Sequence, residues 1–193
     1  MPYIGEPFDE NYFTGSNPLG YTNIAFEEER HRAWADDIEQ YTGLVSGKDV
    51  LEIGCAFGYL TDELALRGAT VTGFDYSDYA IAQAQVLFPT RHFVVGDIMS
   101  SGFTRNSFDL IVCCRTLECF DMTQTGAVLR EIARIKRPQG SLYITVYSQH
   151  ETYHCLSQAE WQSYASPLFP GQTINVYPVG DQPLSADLRI VVT

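Results

Sequence analysis

Between Asp49 and Tyr147 the chain switches repeatedly between two hydrophobic periods, and that alternation restricts the folds open to it. Apolar runs of strand length occur at Asp49–Ile53, Thr70–Phe74, His92–Val95, Phe108–Cys114 and Ser141–Tyr147. Between them, Tyr59–Arg67, Asp78–Leu87 and Thr123–Lys136 read as helices, the last with Val128, Leu129, Ile132 and Ile135 on one stripe. Ser77 is placed to cap the second of these, and Gly68 and Pro89 suit the ends of the first and second. The stretch Leu110-Ile-Val-Cys-Cys114 is apolar without alternation, as a strand buried on both faces should be. Strand–helix–strand succession with short connections demands right-handed crossovers and an α/β fold, a mostly parallel sheet with helices on both faces.

The flanks break this rhythm. Residues 1–22 are rich in Gly, Pro, Asn and aromatics and read as an irregular arm. From Ile24 to Tyr41 the pattern is helical, with His31, Trp34, Ile38 and Tyr41 recurring on one face and Gly43 as the stop. Beyond the core, Ser157-Gln-Ala-Glu160 is a capping box that opens a short helix. Thr173–Val179 and Leu188–Val192 then follow as two strands with no helix between them, which predicts a C-terminal antiparallel hairpin. At 193 residues the chain has the length of one domain, divided here into 1–43, 44–147 and 148–193.

Charge excludes several partners. The formal net charge is −12, and only Lys48 and Lys136 are lysines, so no nucleic acid and no anionic membrane surface is expected to bind. No run of 18 apolar residues occurs, and Met1–Glu6 has neither the basic nor the apolar region of a signal peptide. A cytoplasmic protein is the expectation. The cysteines, Cys55, Cys113, Cys114, Cys119 and Cys155, are odd in number and lack C-x-x-C spacing, so buried reduced thiols are expected and no metal site.

The residues suited to chemistry cluster at the strand ends. The first strand runs into Glu52-Ile-Gly-Cys-Ala-Phe-Gly58, a glycine-rich turn that brings backbone close to a ligand at the carboxyl edge of a sheet. Asp75 ends the second strand, where an acid can accept hydrogen bonds from two ribose hydroxyls. Asp97 ends the third, and Cys114-Arg115-Thr116 ends the fourth. The dinucleotide fingerprint G-x-G-x-x-G/A fits poorly, because Tyr59 would fill its third small position. An acid-x-G-x-G-x-G register fits better, with Ala56 at the middle glycine.

In this register the sequence resembles the class I S-adenosylmethionine-dependent methyltransferases. Val50-Leu-Glu-Ile-Gly-Cys-Ala-Phe-Gly58 is similar to their first motif, Gly73-Phe-Asp-Tyr-Ser-Asp-Tyr-Ala-Ile81 to the second and Gly96-Asp-Ile98 to the third. Ser107–Glu118 is similar to the fourth-strand motif, and Leu129–Gly140 to the helix and turn before strand five. The five features occur in order across residues 45–147. The resemblance implies a Rossmann-like, doubly wound, seven-stranded sheet that binds S-adenosylmethionine and releases S-adenosylhomocysteine. It implies that Gly54, Cys55, Ala56, Gly58 and Glu52 surround the methionine part, together with Cys114 and Arg115 after strand four. Asp75 would hold the ribose; Tyr76, Ser77, Asp97 and Ile98 would surround the adenosine; and the 1–43 segment, with Tyr21, would form a lid.

Two departures from the family pattern stand out. Pro138-Gln-Gly140 replaces the usual Pro-Gly-Gly, and Cys119 stands where many members carry a histidine, which removes that acid–base group. Methyl transfer from a sulfonium needs alignment more than acid–base help, so the catalytic candidates are few: His150, Tyr147 and Glu118. His150 and His154 lie four apart, but without H-E-x-x-H a metal role is disfavoured. The acceptor is expected to be a small organic molecule, met by aromatics of the arm (Tyr12, Phe13, Tyr21) and of the segment after strand five (Tyr147, Tyr153, Trp161, Tyr164). Two other readings stay open: a non-catalytic cofactor-binding or partner subunit, and an aminopropyl-type transferase on the same fold.

Overall fold

Seven strands form one sheet in the computed structural model, which describes residues 8–15, 27–147, 155–178 and 188–193. They are β1 (Asp49–Ile53), β2 (Thr70–Asp75), β3 (His92–Val95), β4 (Phe108–Cys114), β5 (Lys136–Val146), β6 (Ile174–Pro178) and β7 (Leu188–Val192). Their order across the sheet is β3-β2-β1-β4-β5-β7-β6. The first five are parallel, and β7 inserts antiparallel between β5 and β6. The seven-stranded, mostly parallel sheet with an antiparallel C-terminal pair is the one the sequence predicts.

The side-chain period of the strands divides the core into two layers. On one face Leu51, Ile53, Ile111, Cys113, Leu142 and Ile144 pack against Val128, Leu129, Ile132 and Ile135 of α5 (Met122–Ile135). On the other, Val50, Val71, Leu110, Val112 and Tyr143 pack against Trp34 and Ile38 of α2 (Glu27–Thr42) and Leu60 and Leu64 of α3 (Tyr59–Leu66). Ile81 and Ala84 of α4 (Asp78–Leu87) meet Phe93 and Cys55. Ser77 caps α4 through Ala80 N–H (3.1 Å), and Asp121 with Gln124 forms the capping box of α5. All five cysteines are free thiols, four of them buried.

Three local expectations change. The arm contains a short helix, α1 (Glu10–Phe13), started by the Asp9 side chain accepting from Tyr12 N–H at 3.2 Å. Strand β5 begins at Lys136 rather than Ser141, because Lys136 already pairs with Phe108 before an irregularity in the ladder. In α6 (Gln158–Ala165), Trp161 is buried in the core and the Tyr164 hydroxyl donates to Met122 C=O at 2.7 Å. Both aromatics therefore pack α6 onto the α5 side of the sheet, and neither lines the cleft described below. Among the described residues no helix is long and apolar enough to cross a membrane.

Candidate active site

The carboxyl ends of β1, β2, β3 and β4 open onto one cleft, with about 800 Å³ of empty space including its mouth. That is the position expected of a small-ligand site in an open α/β sheet.

At its centre lies the turn after β1. Gly54 has φ +75°, and its N–H donates to Phe74 C=O at 2.8 Å. A Cβ on Gly54 would sit 2.1 Å from Thr116 Oγ1, so only glycine fits between the two strand ends. Ala56 also has a left-handed φ, +47°, uncommon for a residue with a side chain. Its N–H donates to Asp75 Oδ2 at 2.9 Å, which holds the turn in this shape. Gly58 (φ +82°) begins α3, where a Cβ would lie 2.5 Å from the Phe93 ring.

Asp75 therefore has a structural task inside the cleft. Its Oδ1 accepts from Ser77 N–H at 2.9 Å, so each carboxylate oxygen holds one backbone amide. A carboxylate offers about four acceptor sites in total, which leaves capacity for a ligand's hydroxyls. Burial pushes the Asp75 carboxyl upward, against the amides of Ser77, Ala56 and Tyr76, which favour its charged form. Tyr76 is half exposed beside it. At the end of β3, Asp97 lines the cleft while capping the following turn through Met99 N–H at 2.8 Å, with Ile98 alongside.

Of the residues that the family resemblance implies, Gly54, Ala56, Asp75, Tyr76, Asp97, Ile98, Cys114 and Arg115 line this cleft. Four others support it from behind. Glu52 is buried under α3 and accepts a hydrogen bond from the Thr61 hydroxyl. Its carboxyl is pushed up to about 8, first by burial and further by the nearby Asp75, although the Thr61 bond opposes this. Cys55 packs against α4, Gly58 starts α3, and Ser77 caps α4 while its hydroxyl donates to Phe8 C=O. Tyr21, His150, Tyr153 and His154 lie outside the described residues.

The remaining two catalytic candidates converge on Arg115. Its Nε donates to Glu118 Oε1 at 2.6 Å, and its guanidinium carbon lies 3.1 Å from the centroid of the Tyr147 ring. Glu118 is buried and held in that ion pair, a place that suits anchoring more than proton transfer. Thr116 stands in the fourth-strand motif without a role assigned to it, and Met99 and Phe120 belong to no motif. Thr116 wedges the glycine turn through its hydroxyl (3.3 Å to Ile53 C=O), while Met99 and Phe120 form apolar wall. Phe8, Tyr12 and Phe13 of the arm form another wall. Phe8 and Tyr12 meet edge-to-face at 4.8 Å, and Phe13 lies 5.2 Å from Phe57.

Residues 51–144 match the profile of the family described as "Methyltransferase domain". That stretch is a methyltransferase domain of the class I S-adenosylmethionine-dependent kind. Among relatives of this chain, the ubiquinone biosynthesis O-methyltransferase of Pseudomonas syringae pv. tomato is 30% identical over 113 residues, covering 55% of this chain and 47% of that protein. The homologous enzyme of Pseudomonas putida W619 is 30% identical over 118 residues, covering 58% and 50%. The chain thus spans about half the length of the curated relatives it matches.

Solved structures extend the likeness to almost the whole fold. A protein of Pyrococcus horikoshii OT3 superposes with a TM-score of 0.74 at 21% identity, covering 96% of this chain and 99% of that one. The magnesium protoporphyrin IX methyltransferase of Synechocystis PCC 6803, solved with bound S-adenosylmethionine, superposes with a TM-score of 0.71 at 17% identity, covering 94% and 92%. At such identities the likeness is one of fold.

Proposed function

We propose that this chain binds S-adenosylmethionine in the cleft and transfers its methyl group to a small organic acceptor, with oxygen the favoured acceptor atom. The observation that carries the reading is the Asp75 carboxylate, fixed by two backbone amides at the lip of a turn that admits no side chain at Gly54. This donor set fits the cofactor. Asp75 is placed to accept from the ribose hydroxyls, and Tyr76 and Ile98 offer apolar surface to the adenine, with Asp97 beside them as an acceptor for its amine. Close backbone at Gly54 and Ala56 would lie along the methionine chain. The relatives named O-methyltransferases support the choice of oxygen.

When bound, the cofactor supplies an activated methyl group on a sulfonium. The chain's own residues have three tasks: to bind, to align and to exclude water. Orientation of this kind accounts for about 7–11 kcal/mol of a barrier. The aromatic wall of Phe8, Tyr12, Phe13 and Phe120 excludes water, and α1 with Phe8 serves as the lid, whereas α2 is packed into the core and takes no part in it. No general base is assigned, since Glu118 is committed to Arg115.

Calorimetric titration with S-adenosylhomocysteine, with NAD as control, tests the reading. Micromolar or tighter binding of the first and none of the second is expected. No binding of S-adenosylhomocysteine, or equal binding of NAD, would reject it.

A further inference from the structure

Arg115 is the only cation among the described residues that line the cleft, in a chain with 24 acidic and 12 basic side chains. Three constraints converge on it. Its backbone has φ +57°, a left-handed conformation strained for any residue with a side chain, and its N–H is fixed to Thr145 C=O at 2.9 Å. Its Nε is held by Glu118 at 2.6 Å. Its guanidinium carbon lies 3.1 Å from the Tyr147 ring centroid. Ala56 and Arg115 are the two cleft-lining residues other than glycine with positive φ. Strain of this kind persists where surrounding structure imposes it, and it clusters at functional sites.

The arrangement has a chemical logic. A guanidinium is a planar fork of N–H donors matched to carboxylate and other oxyanions. An isolated guanidinium beside a sulfonium donor would repel it. Glu118 cancels that charge, so recognition rests on directed N–H groups rather than on net positive charge. Elsewhere the cleft is lined by Phe8, Tyr12, Phe13, Met99 and Phe120, apolar or aromatic side chains that suit a carbon skeleton.

We propose that Arg115 is the oxyanion-recognition residue of the cleft, and that the acceptor is a small, mostly apolar molecule carrying a carboxylate or an acidic hydroxyl. The proposal rests on the cofactor reading above and adds the substrate class. The cofactor's own carboxylate is the other source of the same chemistry, and the test separates the two.

Wild type, Arg115→Gln and Arg115→Lys are compared, each checked by its circular dichroism melt. The first arm titrates acid and amide pairs (benzoate and benzamide, phenylacetate and phenylacetamide, octanoate and octanamide) into protein saturated with S-adenosylhomocysteine. The second titrates S-adenosylhomocysteine and 5′-methylthioadenosine, which lacks the amino-acid portion, into protein alone. For an acceptor oxyanion, wild type prefers at least one acid over its amide. Arg115→Gln loses about tenfold of that acid affinity, as for one charge-assisted hydrogen bond, and leaves the amide unchanged. Arg115→Lys keeps part of the preference, which gives a reading even where the glutamine variant does not fold.

If S-adenosylhomocysteine weakens by a similar factor while 5′-methylthioadenosine does not, Arg115 serves the cofactor's carboxylate and the acceptor assignment is overturned. No acid preference in wild type, together with unchanged affinities in the variants, overturns the oxyanion role altogether. Wild type that binds no S-adenosylhomocysteine rejects the cofactor reading separately. An acid preference then lost in Arg115→Gln would still support the role of Arg115.

Discussion

Replacing Asp75 by asparagine separates two tasks that one carboxylate performs. The side chain holds Ala56 N–H and Ser77 N–H, both at 2.9 Å, and asparagine can accept from only one of them. Its amide nitrogen would face the other amide, donor against donor. A charge-assisted bond of this kind contributes about 1.5–3 kcal/mol, and a stranded buried donor adds a cost of about 1–3 kcal/mol. Against this, asparagine escapes the desolvation that pushes the Asp75 carboxyl upward. A net loss of about 1–3 kcal/mol follows, or roughly 2–10 °C in Tm at this chain length. Cofactor affinity should fall as well, because the ribose loses a charged acceptor. The expected weakening is about 10- to 100-fold in the Kd for S-adenosylhomocysteine. Thermal melts of the apoprotein and calorimetric titration read the two tasks independently. An unchanged Kd would refute the ribose role, and an unchanged Tm would refute the claim that Asp75 shapes the turn.

Gly54→Ala places a Cβ 2.1 Å from Thr116 Oγ1 at φ +75°, and a loss of about 2–4 kcal/mol in urea unfolding is expected from strain and overpacking together. Adding Thr116→Ala should recover part of the loss; wild-type stability in Gly54→Ala would contradict the packing argument. Glu52, raised to about 8, binds a proton in the folded state over a range where the unfolded chain has released it. Its contribution is therefore fully present below 4.5, the value of an unburied glutamate, and is lost as pH rises through about 8, with a slope of up to about 1.4 kcal/mol per pH unit. Glu52→Gln should flatten stability between pH values in that window, and parallel wild-type and variant curves would count against it. Arg189 bonds both Asp37 oxygens from β7, at 2.5 and 2.6 Å, and Tyr143 donates to the same carboxylate. Arg189→Met should cost about 3–5 kcal/mol by leaving Asp37 without that partner, and Asp37→Leu in the same chain should restore most of it in urea unfolding.

The parts legible in the sequence were those with local causes. β1 begins and ends as expected because the apolar run and the glycine turn fall next to each other, and α4 does so because Ser77 and Pro89 bracket it. Long-range causes left no such trace. Nothing in the local pattern of the Leu188–Val192 strand marks Arg189, yet it is buried against Asp37, a partner 152 positions away. Lys136 and Pro138 read as the end of a helix and a turn, but cross-strand pairing with Phe108 draws Lys136 into β5. Trp161 and Tyr164 have the composition of a binding wall, and only packing against α5 assigns them to the core. The cleft divides in the same way. Gly54, Asp75 and Asp97 sit at strand ends that a pattern can locate, whereas Thr116 matters because it meets Gly54 from a different strand.

That meeting explains why the glycine turn alone is a poor guide to chemistry. The N–H groups of Gly54, Cys55 and Ala56 all donate within the protein, to Phe74 C=O or to Asp75, so the turn does not present them as a cradle for anions. What it contributes is a close-packed surface at Gly54 without a side chain, fixed by Asp75 from β2 and by Thr116 just after β4. In the proposed reading the directional chemistry comes instead from the Asp75 carboxylate and the Arg115 guanidinium, which both line the cleft. Each is held by partners outside the turn. A change at either residue should therefore alter which ligand groups are recognised, whereas a change at Gly54 should alter whether any ligand can approach at all.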